Sequence, residues 1–247
     1  MISEHPSVSL SPRGRLAGPP RTEGAFELKF HLHECQVEPV IRWARERIAP
    51  DPHAGADGTY RIHSLYLDTS ALDVYRRSPG FRGSKYRIRR YGEETLVYLE
   101  RKSKSRGWVR KQRTAVPEAE LAWLNGTEAG EDWSGGWFRE RLQSLALAPQ
   151  SQVAYRRLAC LGEAEGAPIR LTLDRELRCA PAEALAPFTG DDALLTAAEG
   201  TVLELKFRGG LPLLFKELVR DFALSPTAAS KYRRSIELCG LDPRTRG

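Results

Sequence analysis

The chain has 247 residues, 41% of them hydrophobic and 28% charged, which is enough for one large domain or two small ones. Its net charge of +6 favours an anionic partner such as a phosphate compound, nucleic acid or an acidic membrane face. No segment approaches the roughly 18 apolar residues of a membrane span, and the N-terminus has no signal-peptide core, so we expect a cytoplasmic protein without a membrane span.

The four cysteines, Cys35, Cys160, Cys179 and Cys239, are widely spaced and include no CxxC pair. This spacing does not indicate a zinc site or a disulfide framework. Reduced, buried thiols in a cytoplasmic protein fit the pattern better.

The chain begins with residues 1–24, which are rich in Pro, Gly, Ser and Arg and show no apolar periodicity. We expect them to form a disordered lead to a single domain at 25–240, with 241–247 as a tail. Alternating apolar and polar residues predict a first strand at Phe26–Leu32. Apolar residues at helical spacing then predict a helix that ends near Ile48.

Further elements follow in the same way. Alternation predicts strands at Tyr60–Asp68, three times within Ser84–Arg113, and at Gln152–Leu161, Ile169–Leu177 and Thr201–Phe207. Helical spacing predicts helices at Ala71–Arg77, Pro117–Leu124, Trp137–Leu147, Leu211–Phe222 and from Ser225 to Leu238, with an irregular loop at Ala180–Glu199. Many strands without alternating crossover helices predict an α+β protein with an antiparallel sheet.

Three predicted strands carry the same form, Glu-x-Lys, at Glu27/Lys29, Glu100/Lys102 and Glu204/Lys206. Residues i and i+2 share a face of a strand, so each strand presents a carboxylate beside an ammonium. Other strands add further charges, namely Arg87, Arg89, Arg156, Arg170 and Asp174, although Arg156 shares its face with Ala154 and Leu158.

Two arrangements satisfy this pattern, and periodicity leaves both open. In the first, the apolar faces form an internal core and the charges face water. In the second, the apolar faces pack outward against helices and the charges line a hydrated channel, where interleaved carboxylates offset part of the cost of burial. Such a channel would suit a chain of phosphates bound by Lys and Arg, with carboxylates as ligands for Mg²⁺ or Mn²⁺.

The segments FELKF, SLYLDT, YRIRRYG, YLERKSK, AYRR, IRLTLDREL, LELKF and SPTAASKYRRS together resemble the VTC domain, the polyphosphate-polymerising domain of the vacuolar transporter chaperone family, and its bacterial relatives. The likeness runs from about Phe26 to Glu237. It implies a triphosphate tunnel, which is an antiparallel closed β-barrel of about eight strands lined by charge, with helices packed outside. The resemblance therefore favours the second arrangement.

The resemblance also implies site residues and an activity. It implies transfer of the γ-phosphate of ATP to a growing inorganic polyphosphate chain, with Mn²⁺ or Mg²⁺. The metal-holding glutamate falls on Glu204, with Glu100 and Glu27 as possible helpers. The phosphate-binding residues fall on Lys29, Arg87, Arg89, Lys102, Lys111, Arg156, Arg170, Lys206 and Lys231.

Two other function classes stay open at this point. The related CYTH triphosphatases begin with ExExK, whereas Ala25 stands here in place of the first Glu. This difference weakens the interpretation of the chain as a hydrolase without excluding it. A non-catalytic module that binds polyphosphate or inositol phosphates is the other alternative. Nucleic acid is not expected as a partner, because the interleaved carboxylates would repel its backbone and no basic face is regularly interleaved with stacking aromatics.

Overall fold

Ten strands form one antiparallel sheet in the part of the chain that the structure describes, a computed structural model covering residues 26–105, 108–126, 130, 132–185, 195–196 and 200–245. The strands are β1 Phe26–Leu32, β2 Ala49–Pro50, β3 Thr59–Asp68, β4 Lys85–Tyr91, β5 Leu96–Ser105, β6 Trp108–Pro117, β7 Ala148–Ala164, β8 Ala167–Pro181, β9 Leu195–Thr196 and β10 Thr201–Phe207. The expected disordered lead at 1–24 and most of the expected loop at 180–199 lie outside the described residues.

The sheet order is β1-β10-β8-β7-β3-β4-β5-β6, with the short β2 and β9 paired to β7 and β8. Five α-helices accompany the described strands: α1 Glu34–Arg47, α2 Asp73–Arg76, α3 Gly136–Ser144, α4 Leu213–Asp221 and α5 Lys231–Leu238. Two 3₁₀ helices lie at Glu118–Leu124 and Pro243–Thr245. The α+β class with an antiparallel sheet is therefore confirmed.

The apolar faces of the strands pack outward, under the helices. Phe30, Leu203 and Leu171 lie in one buried cluster with apolar residues of α1 and α4. Ile88 and Leu99 lie in a second, with Phe138 of α3. Burying each such side chain stabilises the fold by about 1.5–3 kcal/mol, which drives the helices onto this side of the sheet. The charged faces are left on the concave side, so the molecule has the second of the two arrangements.

The sheet curls but does not close, so the expected closed barrel is wrong. No ladder joins β1 to β6 within the described residues. The segment after α4 occupies the free edge of β1 instead, with Thr227 N donating to Lys29 O at 2.7 Å and Pro226 bridging Phe30. Curvature nevertheless brings Lys102 Nζ of β5 within 3.2 Å of Glu27 Oε2 of β1. We call this side-chain contact between β1, at one end of the sheet, and β5, next to the other end, the seam.

The last helix begins later than expected. The sequence predicted a start at Ser225, but α5 begins at Lys231, and its N-cap is Ser230, whose hydroxyl accepts from Arg233 N. The edge contact with β1 holds the preceding residues extended and prevents an earlier start. Helix α5 itself lies on the concave side, where Tyr232 donates to Asp68 at 2.6 Å and so attaches the helix to β3.

Two smaller observations complete the fold. Cys160 and Cys179 are buried and Cys239 is partly buried, whereas Cys35 is exposed, contrary to the expected burial of all four thiols. Among the described residues, no helix combines the length and the apolar character that a membrane span requires.

Candidate functional site

Strands β4, β5 and β6 place charged side chains opposite one another on the concave face. The pairing register sets Lys85 opposite Lys102, and Lys102 opposite Lys111. One step along, Glu100 lies between Arg87 and Arg113 in the same way. Directly opposed residues of neighbouring antiparallel strands share a face, so the alternation read from the sequence becomes rows of charge across the sheet.

Glu204 of β10 is the carboxylate with the most cations around it. Its Oε1 lies 2.8 Å from Lys29 Nζ and 3.6 Å from Lys231 Nζ, and its Oε2 lies 3.9 Å from Arg157 and 4.0 Å from Lys206. Burial alone would raise the pKa of Glu204, but these cations hold it well below its usual value. The carboxylate is therefore ionised.

Asp174 of β8 forms the most buried ion pair of the cavity. Arg157 donates to both of its oxygens, at 2.6 and 2.7 Å, and Lys231 Nζ lies 2.5 Å from Oδ2. Burial opposes ionisation of Asp174, yet Arg157 and Lys231 keep its pKa lowered. The sequence analysis did not include Arg157 among the site residues, although it joins both Asp174 and Glu204.

Glu100 of β5 is held by a different set of cations. Arg87 lies at 2.6 Å, Lys111 at 2.7 Å and Arg113 at 3.3 Å from its oxygens. Burial would raise the pKa of Glu100, but Arg87 and other nearby cations, Arg89 and Lys111 among them, lower it far more. Glu100 therefore offsets part of the positive charge on the β4–β6 side of the cavity.

Glu27 of β1 connects the first strand with β5 on the far side of the cavity. Its oxygens lie 3.2 Å from Lys29, 3.2 Å from Lys102 and 3.6 Å from Lys206. Burial and the nearby Glu204 both raise the pKa of Glu27, yet the three lysines outweigh them and lower it to about 2. Glu27 is therefore ionised at the seam.

Arg89 contributes positive charge that a neutral set of partners holds in place. The residue is 4% exposed, and its guanidinium donates to Ser64 Oγ at 3.1 Å and to Tyr155 Oη at 3.0 Å. Burial raises the pKa of the neighbouring Tyr66, but Arg87 and Arg89 lower it to about 8. This part of the wall therefore carries an excess of positive charge.

Two of the residues expected in the site lie apart from these networks. Arg156 pairs with Asp57 and, at 3.6 Å, with Glu176. Its strand neighbour Leu158, on the same face, belongs to the outer buried cluster beneath α1. Alternation therefore turns Arg157, rather than Arg156, to the concave side, and the apolar residues beside Arg156 were the signal in the sequence.

Arg170 has an intermediate position. It lies opposite Lys206 in the ladder between β8 and β10 and so shares the concave face. Its guanidinium, however, donates to Tyr60 Oη at 2.8 Å and to Asp51 Oδ2 at 3.2 Å. Asp51 and Tyr60 thus hold Arg170 at the margin of the cavity.

Cations outnumber carboxylates on this face of the described chain. Four carboxylates form ion pairs on this face, namely Glu27, Glu100, Asp174 and Glu204, while Asp68 accepts from Tyr232 instead. Apart from Arg170 at the margin, ten cations lie on the same face: Lys29, Lys85, Arg87, Arg89, Lys102, Lys111, Arg113, Arg157, Lys206 and Lys231. The side chains of Lys102 and Lys206 are each 36% exposed, so a solute reaches them. This face therefore carries a net positive charge, part of which lies open to solvent.

The carboxylates also bear on a metal ion. The described residues contain no group of three or more His, Cys, Asp or Glu placed to hold one. Glu27 and Glu204 nevertheless share one cation already, because Lys29 Nζ lies 3.2 and 2.8 Å from them. Mg²⁺ is commonly held by one or two carboxylates together with phosphate oxygens. Glu27 and Glu204 fit such a shared site, whereas Glu100 belongs to the other set of cations.

Comparison with known proteins gives one family and several solved structures. The family model described as the VTC domain matches residues 25–239. A Bacillus halodurans protein provisionally named an adenylate cyclase is 16% identical, with 84% of this chain and 94% of that chain covered and a TM-score of 0.49. A Pyrococcus horikoshii protein is 14% identical, with 87% of this chain and 99% of that chain covered and a TM-score of 0.47.

A third similar structure comes from Hippeastrum. That protein is provisionally named an adenylyl cyclase and is said to have a dominant triphosphatase activity. It is 15% identical, with 83% of this chain and 92% of that chain covered and a TM-score of 0.46. No curated protein sequence matches the chain.

Proposed function

The chain belongs to the VTC domain family, and from this premise we propose that it transfers the γ-phosphate of ATP to a growing inorganic polyphosphate chain in the concave cavity. A terminal oxygen of the acceptor chain bonds to the γ-phosphorus. The bond between that phosphorus and the β,γ-bridging oxygen breaks, and ADP leaves with the electron pair. Terminal phosphate is already largely ionised at neutral pH, so the protein needs no general base to activate it.

One observation carries the proposal, namely the excess of cations in a partly buried cavity. Ten cations around four carboxylates suit a ligand with many negative charges along its length. Nucleic acid would also be multiply charged, but its bases would need stacking surfaces as well, whereas a phosphate chain needs charge alone.

The residues of the cavity have distinct tasks in this reaction. Arg87 and Arg89 present planar guanidinium groups that suit bidentate contacts with phosphate oxygens. Lys29, Lys206 and Lys231 act as point charges, and Lys102 and Lys111 extend the row across β5 and β6. We assign to Arg157 the position that the sequence analysis gave to Arg156, and we leave Arg170 at the margin.

Catalysis would rest on alignment and charge neutralisation. Phosphoryl transfer asks little covalent work of a protein, because its transition state is stabilised mainly by positioned positive charge. A bound Mg²⁺ or Mn²⁺, held by Glu204 with Glu27, would supply further neutralisation of the phosphate oxygens. Ion pairs to Glu100 and Asp174 keep the surrounding cations in fixed positions before the substrate arrives.

The test is incubation of the purified protein with ATP and either MnCl₂ or MgCl₂, with polymer resolved on a gel and orthophosphate measured in parallel. We expect polyphosphate from the wild type and from Lys216→Ala, an exposed lysine on α4 outside the cavity. We expect none from Arg89→Glu, which reverses a buried charge of the cavity wall.

Each other result would overturn the proposal in a different way. Orthophosphate without polymer would assign a triphosphatase. Neither product, with polyphosphate still bound, would assign a binding module. Full polymer synthesis by Arg89→Glu would move the site away from this cavity.

A further inference from the structure

Lys85, at the start of β4, belongs to a row of three lysines. The pairing register sets it opposite Lys102, which in turn lies opposite Lys111. We call these three residues the lysine row. Like charges directly opposite one another on neighbouring strands destabilise a sheet, so such a row requires compensation.

Two members of the lysine row have carboxylate partners, and the third does not. Lys102 pairs with Glu27 at 3.2 Å and Lys111 with Glu100 at 2.7 Å. The Lys85 ammonium donates instead to the neutral hydroxyl of Ser230, at 2.9 Å, and no carboxylate of the described residues pairs with it. The charge of Lys85 is therefore the uncompensated one in the row.

The electrostatic surroundings of Lys85 agree with this geometry. Burial lowers the pKa of Lys85 to about 8, and the nearby positive charges of Lys29, Lys102 and Arg87 act in the same direction. The fold thus keeps a partly buried ammonium among other cations at a cost in stability. An anion bound beside it would remove that cost.

We propose that Lys85 and Ser230 form a further phosphate subsite, which binds a unit of the chain beyond those held by Arg87 and Arg89. Residues two apart on a strand are about 6.6–6.8 Å apart along it, so Lys85, Arg87 and Arg89 form a row about 13 Å long on β4. The Ser230 hydroxyl rotates freely and can donate to a phosphate oxygen while it accepts from Lys85. This inference rests on the proposed function in taking a phosphate chain as the ligand.

The subsite has a measurable consequence, because a short chain held at the arginines does not extend to Lys85. Titration calorimetry with tripolyphosphate and with polyphosphate of several tens of units, both without metal or ATP, compares the two lengths. We expect Lys85→Met to weaken binding of the long chain about tenfold, equivalent to about 1.4 kcal/mol, and to change tripolyphosphate binding little. Lys85→Arg, which keeps the charge, should restore the long-chain affinity.

Three comparisons separate this subsite from a structural role and from the proposed function itself. Ser230→Gly removes the hydroxyl and its cap bond to Arg233 N, although Gly is itself tolerated at an N-cap. We expect this variant to weaken binding of the long chain less than Lys85→Met, because the ammonium remains; an equal loss would indicate a merely structural link between Lys85 and α5. Arg87→Met should weaken both ligands, and Lys216→Ala neither. Should Lys85→Met fail to fold, Lys85→Gln, which can still bond to Ser230, replaces it.

The outcomes are distinguishable. If Arg87→Met weakens both ligands while Lys85→Met weakens neither, or weakens both equally, the subsite is wrong and the proposed cavity stands. If Arg87→Met leaves both ligands unaffected, the chain binds elsewhere, and the proposed function fails whatever Lys85 does. A length-dependent loss in Lys85→Met with rescue by Lys85→Arg supports the subsite.

Discussion

Arg157 and Asp174 lie directly opposite each other on β7 and β8 and share two hydrogen bonds, at 2.6 and 2.7 Å, with both side chains buried. Removing two charges from water is costly, and only a well-formed pair offsets that cost. Lys231 of α5 joins the same carboxylate at 2.5 Å. The pair thus fixes the last helix against the sheet and sets one corner of the cavity.

Breaking this pair should destabilise the protein strongly. We expect Arg157→Ala to lower the free energy of unfolding by about 3–5 kcal/mol, because it leaves Asp174 buried with only Lys231 beside it. Arg156→Ala is the matched control, since this neighbour on the same strand pairs in a solvated setting on the outer side. Urea unfolding of both variants measures the difference. Equal losses in the two variants would contradict the assignment of Arg157 to the inside.

Neutralising Glu204 should separate binding from turnover. Glu204→Gln removes the carboxylate shared by Lys29, Lys231 and Arg157, so those cations become available to an anion. We expect tighter metal-free binding of tripolyphosphate but about 10²–10³-fold slower consumption of ATP with metal, because the carboxylate proposed to hold Mg²⁺ or Mn²⁺ at the reacting phosphates is lost. Calorimetry and an ADP assay measure the two effects. Unchanged turnover would remove Glu204 from the site.

The lowered pKa of Lys85 predicts a pH dependence with a definite sign. Its pKa is about 8 in the fold, against a usual 10.5, because of burial and the charges of Lys29, Lys102 and Arg87; the ionisable Tyr66 acts in the opposite direction. Between these two values the unfolded chain holds more protons at this position, so the contribution of Lys85 to the free energy of unfolding rises with pH.

The measurement is the difference between the wild type and Lys85→Met, since other groups titrate in both. We expect the wild type to gain stability relative to the variant as the pH rises from about 8 to about 10, in the absence of phosphate. Urea unfolding at several pH values gives this difference. A constant difference, or one that changes in the opposite direction, would mean that Lys85 is well solvated.

The cysteines should differ in reactivity according to their burial. Cys35 is exposed on α1, whereas Cys160 and Cys179 are buried, and burial raises the pKa of the Cys160 thiol. We expect a maleimide reagent to label Cys35 first, and Cys160 and Cys179 only after unfolding. Mass spectrometry of digested protein identifies the labelled residue at each time. Early labelling of Cys160 would show that the outer buried cluster opens readily.

Strict alternation made some of this fold predictable to the residue. The strands at Phe26–Leu32 and Thr201–Phe207 have the predicted bounds, because each alternates apolar residues with residues that are mostly polar or charged along its length. The concave face follows from the same pattern once the outward direction of the apolar side is known. That direction depends on the helices and their contacts, which periodicity within a strand does not report.

Other features depend on contacts between distant segments. Ser225 followed by Pro226 and Ser230 followed by Lys231 are both plausible helix starts in the sequence. No helix begins at Ser225, because the edge of β1 pairs with residues 226–227. The same contact explains why closure was predicted wrongly, since the edge that a closing strand would need is already occupied. Arg157, in contrast, was open to prediction from the apolar neighbours of Arg156.

The seam has a mechanical consequence. Most of the cavity wall is a continuous series of main-chain ladders from β1 through β10 to β6. On the remaining side, β5 and β1 are joined through the side chains of Lys102 and Glu27, and residues 226–227 lie over the edge of β1. Dissolved salt screens a partly exposed ion pair but hardly affects a ladder. We therefore expect the bore to be adjustable in width along one side only, and wider in concentrated electrolyte.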